Sequence, residues 1–80
     1  MYRVYVLRSL KTGKRYVGVT SQSLDKRLSG HRSGSTAWTR AHKPFELVRC
    51  EEFEDKTLAL KREIFLKSGI GRRVLDNLTK

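Results

Sequence analysis

The chain opens on strict alternation. Between Tyr2 and Leu10, Val4 and Val6 fall on one parity and Tyr5 and Leu7 on the other; a similar density of β-branched and aromatic residues returns from Arg15 to Thr20. Between the two runs lies Lys11-Thr12-Gly13-Lys14, polar and containing a glycine, which predicts a hairpin with Thr12 and Gly13 as its loop residues. That loop sets Lys11 opposite Lys14 and Ser9 opposite Tyr16. Because side chains alternate along a strand, Tyr5, Leu7, Tyr16 and Gly18 share one face, and Val4, Val6, Val17 and Val19 share the other. The valine face is a core face. The other carries a pair of tyrosines and a glycine.

From Ser23 to Arg32 the apolar period lengthens to that of a helix. Ser21 or Ser23 can cap its start, and Asp25 suits the positive end of the helix dipole. Leu24 and Leu28 anchor the buried stripe, with Arg27 and His31 flanking it, and Gly34 ends the segment. The stretch Ser35 to Lys43 reads as a polar, basic loop around Trp38. Pro44 precedes a third strand, Phe45 to Cys50, and a helix follows from about Lys56 to Lys67, closed by Gly69. Arg72 to Leu75 adds a helical turn or two. The order β-β-α-loop-β-α-(α) predicts an α+β fold: a small three-stranded antiparallel sheet flanked by helices, in one domain over residues 1–80.

Size and composition narrow the picture. A domain of 80 residues buries only about 60% of the surface its unfolded chain exposes. No run approaches the roughly 20 apolar residues of a membrane span, and the first residues lack a signal-peptide core. The single cysteine, Cys50, cannot form an internal disulfide and is expected to be a buried small hydrophobe, in keeping with a reducing cytoplasm. Eighteen Lys and Arg against eight Asp and Glu leave a net charge of +10. Nucleic-acid phosphate is the commonest partner of such a charge, ahead of an acidic protein, a membrane surface or mere solubility.

Among residues able to carry chemistry, Glu63 is the most informative acid. It lies at the margin of an apolar helical face, where a carboxylate is costly unless paired or bound to a cation. From the local sequence alone an i,i+4 ion pair with Lys67 is the readier account. Arg27 and His31, four apart, offer a fixed cation suited to phosphate and a group that exchanges protons near neutrality. Arg32, Arg40, His42 and Lys43 around Trp38 form a candidate nucleic-acid-binding surface with a stacking residue; the alternative is a solvated loop with Trp38 tucked into the core. Zinc spacing, a phosphate-cradling glycine loop and a strained nucleophile turn are all missing from the sequence.

Taken in order, Tyr5, then Tyr16-Val17-Gly18, then Arg27 and His31, then Glu63 resemble the GIY-YIG endonucleases, in particular small single-domain members similar to the N-terminal nuclease domain of the excision-repair protein UvrC. Arg3-Val4-Tyr5 stands in the place of Gly-Ile-Tyr and Tyr16-Val17-Gly18 in that of Tyr-Ile-Gly, and Arg27 to His31 matches the family's Arg-x-x-x-His helix. Arg3 departs from the family glycine, and Asn77 is no clear counterpart of the asparagine many relatives carry. The resemblance implies a DNA endonuclease in which Glu63 alone ligates Mg²⁺ or Mn²⁺, Tyr16 is the general base, Arg27 neutralises phosphate charge, and His31 and Tyr5 orient the attacking water and Tyr16. A phenol titrates unperturbed at about 10, so a tyrosine base needs nearby cations. Target selection, for branched or damaged DNA, would then fall to a partner protein or a second copy. On this reading all of Tyr5, Tyr16, Arg27, His31 and Glu63 converge on one concave face. The competing expectations are a non-catalytic nucleic-acid-binding module that retains the fold, and a small basic protein that docks on a partner.

Overall fold

The computed structural model describes residues 1–21, 23–32 and 37–78, without the side chains of Arg32 and Thr39. Strands β1 (Tyr2–Ser9), β2 (Arg15–Thr20) and β3 (Phe45–Phe53) form an antiparallel sheet in the order β2-β1-β3. Helices α1 (Leu24–Arg32) and α2 (Ala37–His42) come between β2 and β3; α3 (Lys56–Lys67) and α4 (Gly69–Leu78) follow β3. The predicted α+β class and three-stranded antiparallel sheet are what the chain adopts. Gly34, read as the end of the first helix, lies outside the described residues.

β1 is the central strand, and its run Val4-Tyr5-Val6-Leu7 is buried on both faces. On the valine face, Val4, Val6 and Val17 pack with Ala59 and Leu66 of α3 and Leu75 of α4. On the other, Tyr5 and Leu7 pack with Leu28 of α1, and Tyr16, Leu24, Trp38 and Phe45 close around them. The sheet is therefore sandwiched, α3 and α4 on one side and α1 and α2 on the other. Glu51, on the valine face opposite Val4, accepts from Arg62 of α3 and from Arg49. The Arg62 contact holds its carboxyl below the usual carboxylate range, with Arg49 assisting.

Several local expectations needed correction. The hairpin pairs Leu7, not Ser9, with Tyr16. Ser9 is buried, its amide bonds the Lys14 carbonyl, and its Oγ accepts from the amides of Lys11 and Thr12. This serine-capped turn enlarges the loop to Leu10-Lys11-Thr12-Gly13, with Gly13 at φ +75°. The slip is two residues, so each side chain keeps its predicted face. The segment around Trp38, expected as loop, contains helix α2 because Trp38 docks on the tyrosine face and orders it. β3 runs on to Phe53 and carries a bulge where Val6 and Leu7 pair with Arg49 and Leu47, leaving Val48 between to pack on the valine core. Cys50 is exposed rather than buried: it sits on an edge strand opposite Tyr5, beyond the cover of the helices. No helix among the described residues is long and apolar enough to cross a membrane.

Gly69 does not cap α3. Asp55 caps its start by accepting from the Thr57 amide at 2.7 Å, and Ser68 ends it, returning its amide to the Phe65 carbonyl. The Ser68 hydroxyl also accepts from the Gly71 amide, so one residue closes α3 and opens α4. The expected turn or two is instead a ten-residue helix. The joint is tight at Gly71, where a Cβ would overlap the Phe65 carbonyl and lie 2.6 Å from Leu66 Cα. Because these are backbone atoms, Gly71→Ala should destabilise the fold by about 1–3 kcal/mol, in the range of core overpacking. Urea denaturation should show the midpoint falling; an unchanged midpoint would mean the α3–α4 joint is looser than the structure shows.

Candidate active site

The tyrosine face is organised around a hydroxyl. Tyr5 is 0% exposed, and its phenol cannot be left without hydrogen bonds at acceptable cost. Helix α1 supplies them. Ser23 Oγ accepts from the Lys26 amide and starts the helix, Leu28 and Leu24 seat it against the sheet, and Arg27 and His31 then project toward Tyr5. Arg27 Nε donates to Tyr5 Oη at 2.9 Å, and Tyr5 Oη lies 2.7 Å from His31 Nε2. With the Arg27 N–H donating to Tyr5 Oη, a phenol that donates to Nε2 places the proton of His31 on Nδ1. That nitrogen is buried and has no hydrogen-bond partner among the described residues.

The charges follow from this geometry. Burial raises the Tyr5 pKa above its ordinary value, outweighing the Arg27 hydrogen bond and charge that act in the opposite direction. The Tyr5 bond in turn raises Arg27, so the guanidinium is locked as a cation. Burial, with the Arg27 charge, pushes His31 below its ordinary value. Tyr5 and His31 are thus neutral, sealed groups that hold Arg27 in place.

Tyr16 is only half-buried and forms the open side of the cluster. Its ring lies 5.3 Å from His31 edge-on and 5.3 Å from Trp38. Gly18, beside it on β2, leaves room for Tyr5: a Cβ there would stand 2.5 Å from both Tyr5 Cζ and Oη and 3.0 Å from Tyr16 Cε1. The sequence placed Gly18 on this face without revealing that close approach. It also gave no sign of Phe45, whose ring meets His31 edge-on at 6.1 Å.

Tyr5, Tyr16, Arg27 and His31 therefore converge as expected. Glu63 does not share their face. Its helix α3 packs on the valine side, where Glu63 lies in one stripe with the buried Ala59 and Leu66 and pairs with Lys67 at 3.3 Å. The expected i,i+4 pair is present. Yet the Glu63 carboxylate is close enough for its charge to disfavour ionisation of Tyr5. The phenol end of Tyr5 lies over Gly18 on β2, which is an edge strand, so the route between the two groups runs round that edge.

The residues of the candidate basic surface divide. Trp38 is packed among Tyr16, Phe45 and His42, and His42 lies 4.7 Å over it while bonding Thr12 Oγ1 at 3.1 Å. Arg40 and Lys43 are exposed. The Arg32 side chain lies outside the described residues.

The model of the GIY-YIG catalytic domain family matches residues 1–73, and the chain belongs to that family of nuclease-like domains. It is similar to UPF0213 proteins of Natronomonas pharaonis (39% identity over 81% of this chain and 75% of the relative) and Clostridium perfringens (40% over 84% and 71%). Among solved structures it resembles the solution structure of the UPF0213 protein BH0048 from Bacillus halodurans, with a TM-score of 0.59, 33% identity, and coverage of 98% of this chain and 85% of that one.

Two outcomes follow from the cluster. Because His31 has a lowered pKa, the native state binds fewer protons than the unfolded chain between that lowered value and the ordinary one of about 6.5. Stability from this residue is therefore complete above about 6.5 and is lost as pH falls through the window; His31→Gln should flatten the dependence of the urea midpoint on pH there. Separately, Gly18→Ala should push the Tyr5 phenol off its partners and cost about 1–3 kcal/mol. An NMR titration in which the His31 ring resonances were unmoved by Gly18→Ala would refute the close approach.

Proposed function

We propose that the protein is a divalent-metal-dependent endonuclease that hydrolyses phosphodiester bonds in DNA. The observation that carries this reading is the Arg27–Tyr5–His31 chain, which fixes a permanent cation beside the half-exposed Tyr16. An arginine so held can neutralise charge as it develops on the non-bridging phosphate oxygens without reorganising. Tyr16, at the open side, is the group positioned to take a proton from an attacking water. Tyr5 cannot fill that role, because it is sealed from solvent and its hydroxyl is taken up by Arg27 and His31. Tyr5 and His31 instead set the position of Arg27 and the wall against which Tyr16 rests.

Glu63 fits the role of a single protein ligand to Mg²⁺ or Mn²⁺: it is a hard oxygen donor, partly exposed, and already faces a cation in Lys67. Bound there, such an ion would supply charge stabilisation to the phosphate and the leaving oxygen. Reaching the tyrosine site from α3 requires the substrate to lie across the free edge of β2. That same placement favours a second reading, a nucleic-acid-binding module in which Glu63 serves only its pair with Lys67.

Plasmid nicking with Mg²⁺, Mn²⁺ or EDTA separates the two. Under the nuclease reading, Glu63→Gln lowers cleavage by at least about a hundredfold. DNA affinity persists or rises as a negative charge is lost, and stability changes by under about 1 kcal/mol, the worth of an exposed ion pair. Tyr16→Phe lowers cleavage similarly with binding intact. Wild-type protein that binds DNA in EDTA and nicks under no metal condition would establish the binding module.

A further inference from the structure

Away from the tyrosine cluster, a groove of about 850 Å³ opens between the β1–β2 hairpin and the α3–α4 joint. Arg8, Lys14, Arg15, Lys67 and Arg72 line it, against the single carboxylate of Asp76. That one acid is occupied: Arg15 pairs with it at 2.6 Å and also reaches the Arg72 carbonyl, tying the hairpin to α4. Arg8 is paired with Glu46 and Lys67 with Glu63. The Lys14 ammonium and the Arg72 guanidinium, by contrast, have no carboxylate in salt-bridge range among the described residues, and both are exposed. A concave surface with cations on facing walls and its only acid neutralised has the electrostatic form of a polyanion site.

Its position says which polyanion. Tyr16 forms part of the groove wall on one side and part of the Arg27–His31 cluster on the other. Lys67, the partner of Glu63, lines it as well. The groove therefore flanks the start of β2, on the α3–α4 side of the strand that carries Tyr16. We infer that this groove holds the phosphodiester backbone of the DNA strand flanking the scissile phosphate, with Lys14 and Arg72 making the phosphate contacts. Arg15 acts differently, as the brace that keeps the hairpin wall and the α4 wall a fixed distance apart. The contacts go to phosphate and not to bases, so they fix the register of the strand and carry no sequence preference. This inference rests on the nucleic-acid reading of the tyrosine face and extends it to the opposite face of the β1–β2 hairpin from the Trp38 segment.

The test is binding of a double-stranded DNA oligonucleotide in EDTA, so that affinity is read without cleavage. The double variant Lys14→Glu/Arg72→Glu is compared with Lys56→Glu/Lys61→Glu, which makes the same charge change on exposed positions of α3 outside the groove. The groove variant should lose about tenfold or more in affinity, and the slope of log K against log salt should fall by about 2, close to one unit for each phosphate contact removed. The control should stay within about threefold. Equal losses in the two doubles would reduce the groove to general charge and overturn the inference. A second readout needs no variant: DNA should shift the amide resonances of residues 13–16 and 72–76, and a footprint that avoids them would also overturn it. Nicking is scored separately, so a protein that shows the footprint but never cuts would refute the nuclease reading while leaving the groove in place.

Discussion

A phenol hydroxyl sealed inside a small domain must be hydrogen-bonded, because leaving it bare costs on the order of 1–3 kcal/mol in a fold whose whole stability is about 5–15 kcal/mol. Tyr5 sits at the centre of the central strand with no exposed surface, and Arg27 and His31 reach its oxygen. The placement of α1 follows from that need together with the docking of Leu24 and Leu28. The rest of the tyrosine face is then arranged around the pair: Tyr16, Trp38 and Phe45 pack on the His31 side of the cluster, and Gly18 leaves the gap into which the phenol fits. A structural demand has thereby assembled a cation, two neutral hydrogen-bonding groups and a half-exposed tyrosine at one place.

The Tyr16 side and the α3 side of the sheet border each other at β2. Its inner residues serve both cores, Val17 toward α3 and Tyr16 toward α1, and its outer edge carries no partner strand. An edge strand is ordinarily a liability for pairing with other chains. Here it is short and begins with Arg15, whose bond to α4 pulls cover over its start. What remains is a passage from the Tyr16 ring, round the edge, to the helix that bears Glu63 and Lys67. Any reaction joining Arg27 to Glu63 has to take place across that passage.

Strand parity made the two faces legible in the sequence, since alternation of valine with tyrosine and leucine survives an error in loop length. The hairpin register was not legible, because the hydroxyl of Ser9 and not the Thr12–Gly13 pair decides where the turn begins. The i,i+4 spacing of Arg27 and His31 located half of the candidate site without reference to tertiary contacts. The i−4 and i+3 spacing to Ala59 and Leu66 put Glu63 at the margin of an apolar stripe, but the side of the sheet that stripe packs on depends on how α3 returns after β3, which no local pattern encodes. α2 and α4 were underestimated for a related reason. α2 is too short to show a period and docks through Trp38, while α4 is amphipathic but brief, held by the burial of Gly71 and Leu75 and by Arg15.

The charge balance completes the picture. Of eight acids, Glu46, Glu51, Glu52, Glu63 and Asp76 are engaged in ion pairs. Asp55 caps α3, and Asp25 lies in the first turn of α1. The fold therefore uses nearly all of its negative charge internally, to fasten strands to helices and to start helices. The excess of +10 is left on side chains with no internal counter-charge, at the cost of self-repulsion in the compact state. Lys14 and Arg72 belong to that excess, and they flank the groove that leads to Tyr16. A bound polyanion would relieve the repulsion where it is concentrated, so DNA binding should stabilise the fold, and more so at low salt, where screening is weakest.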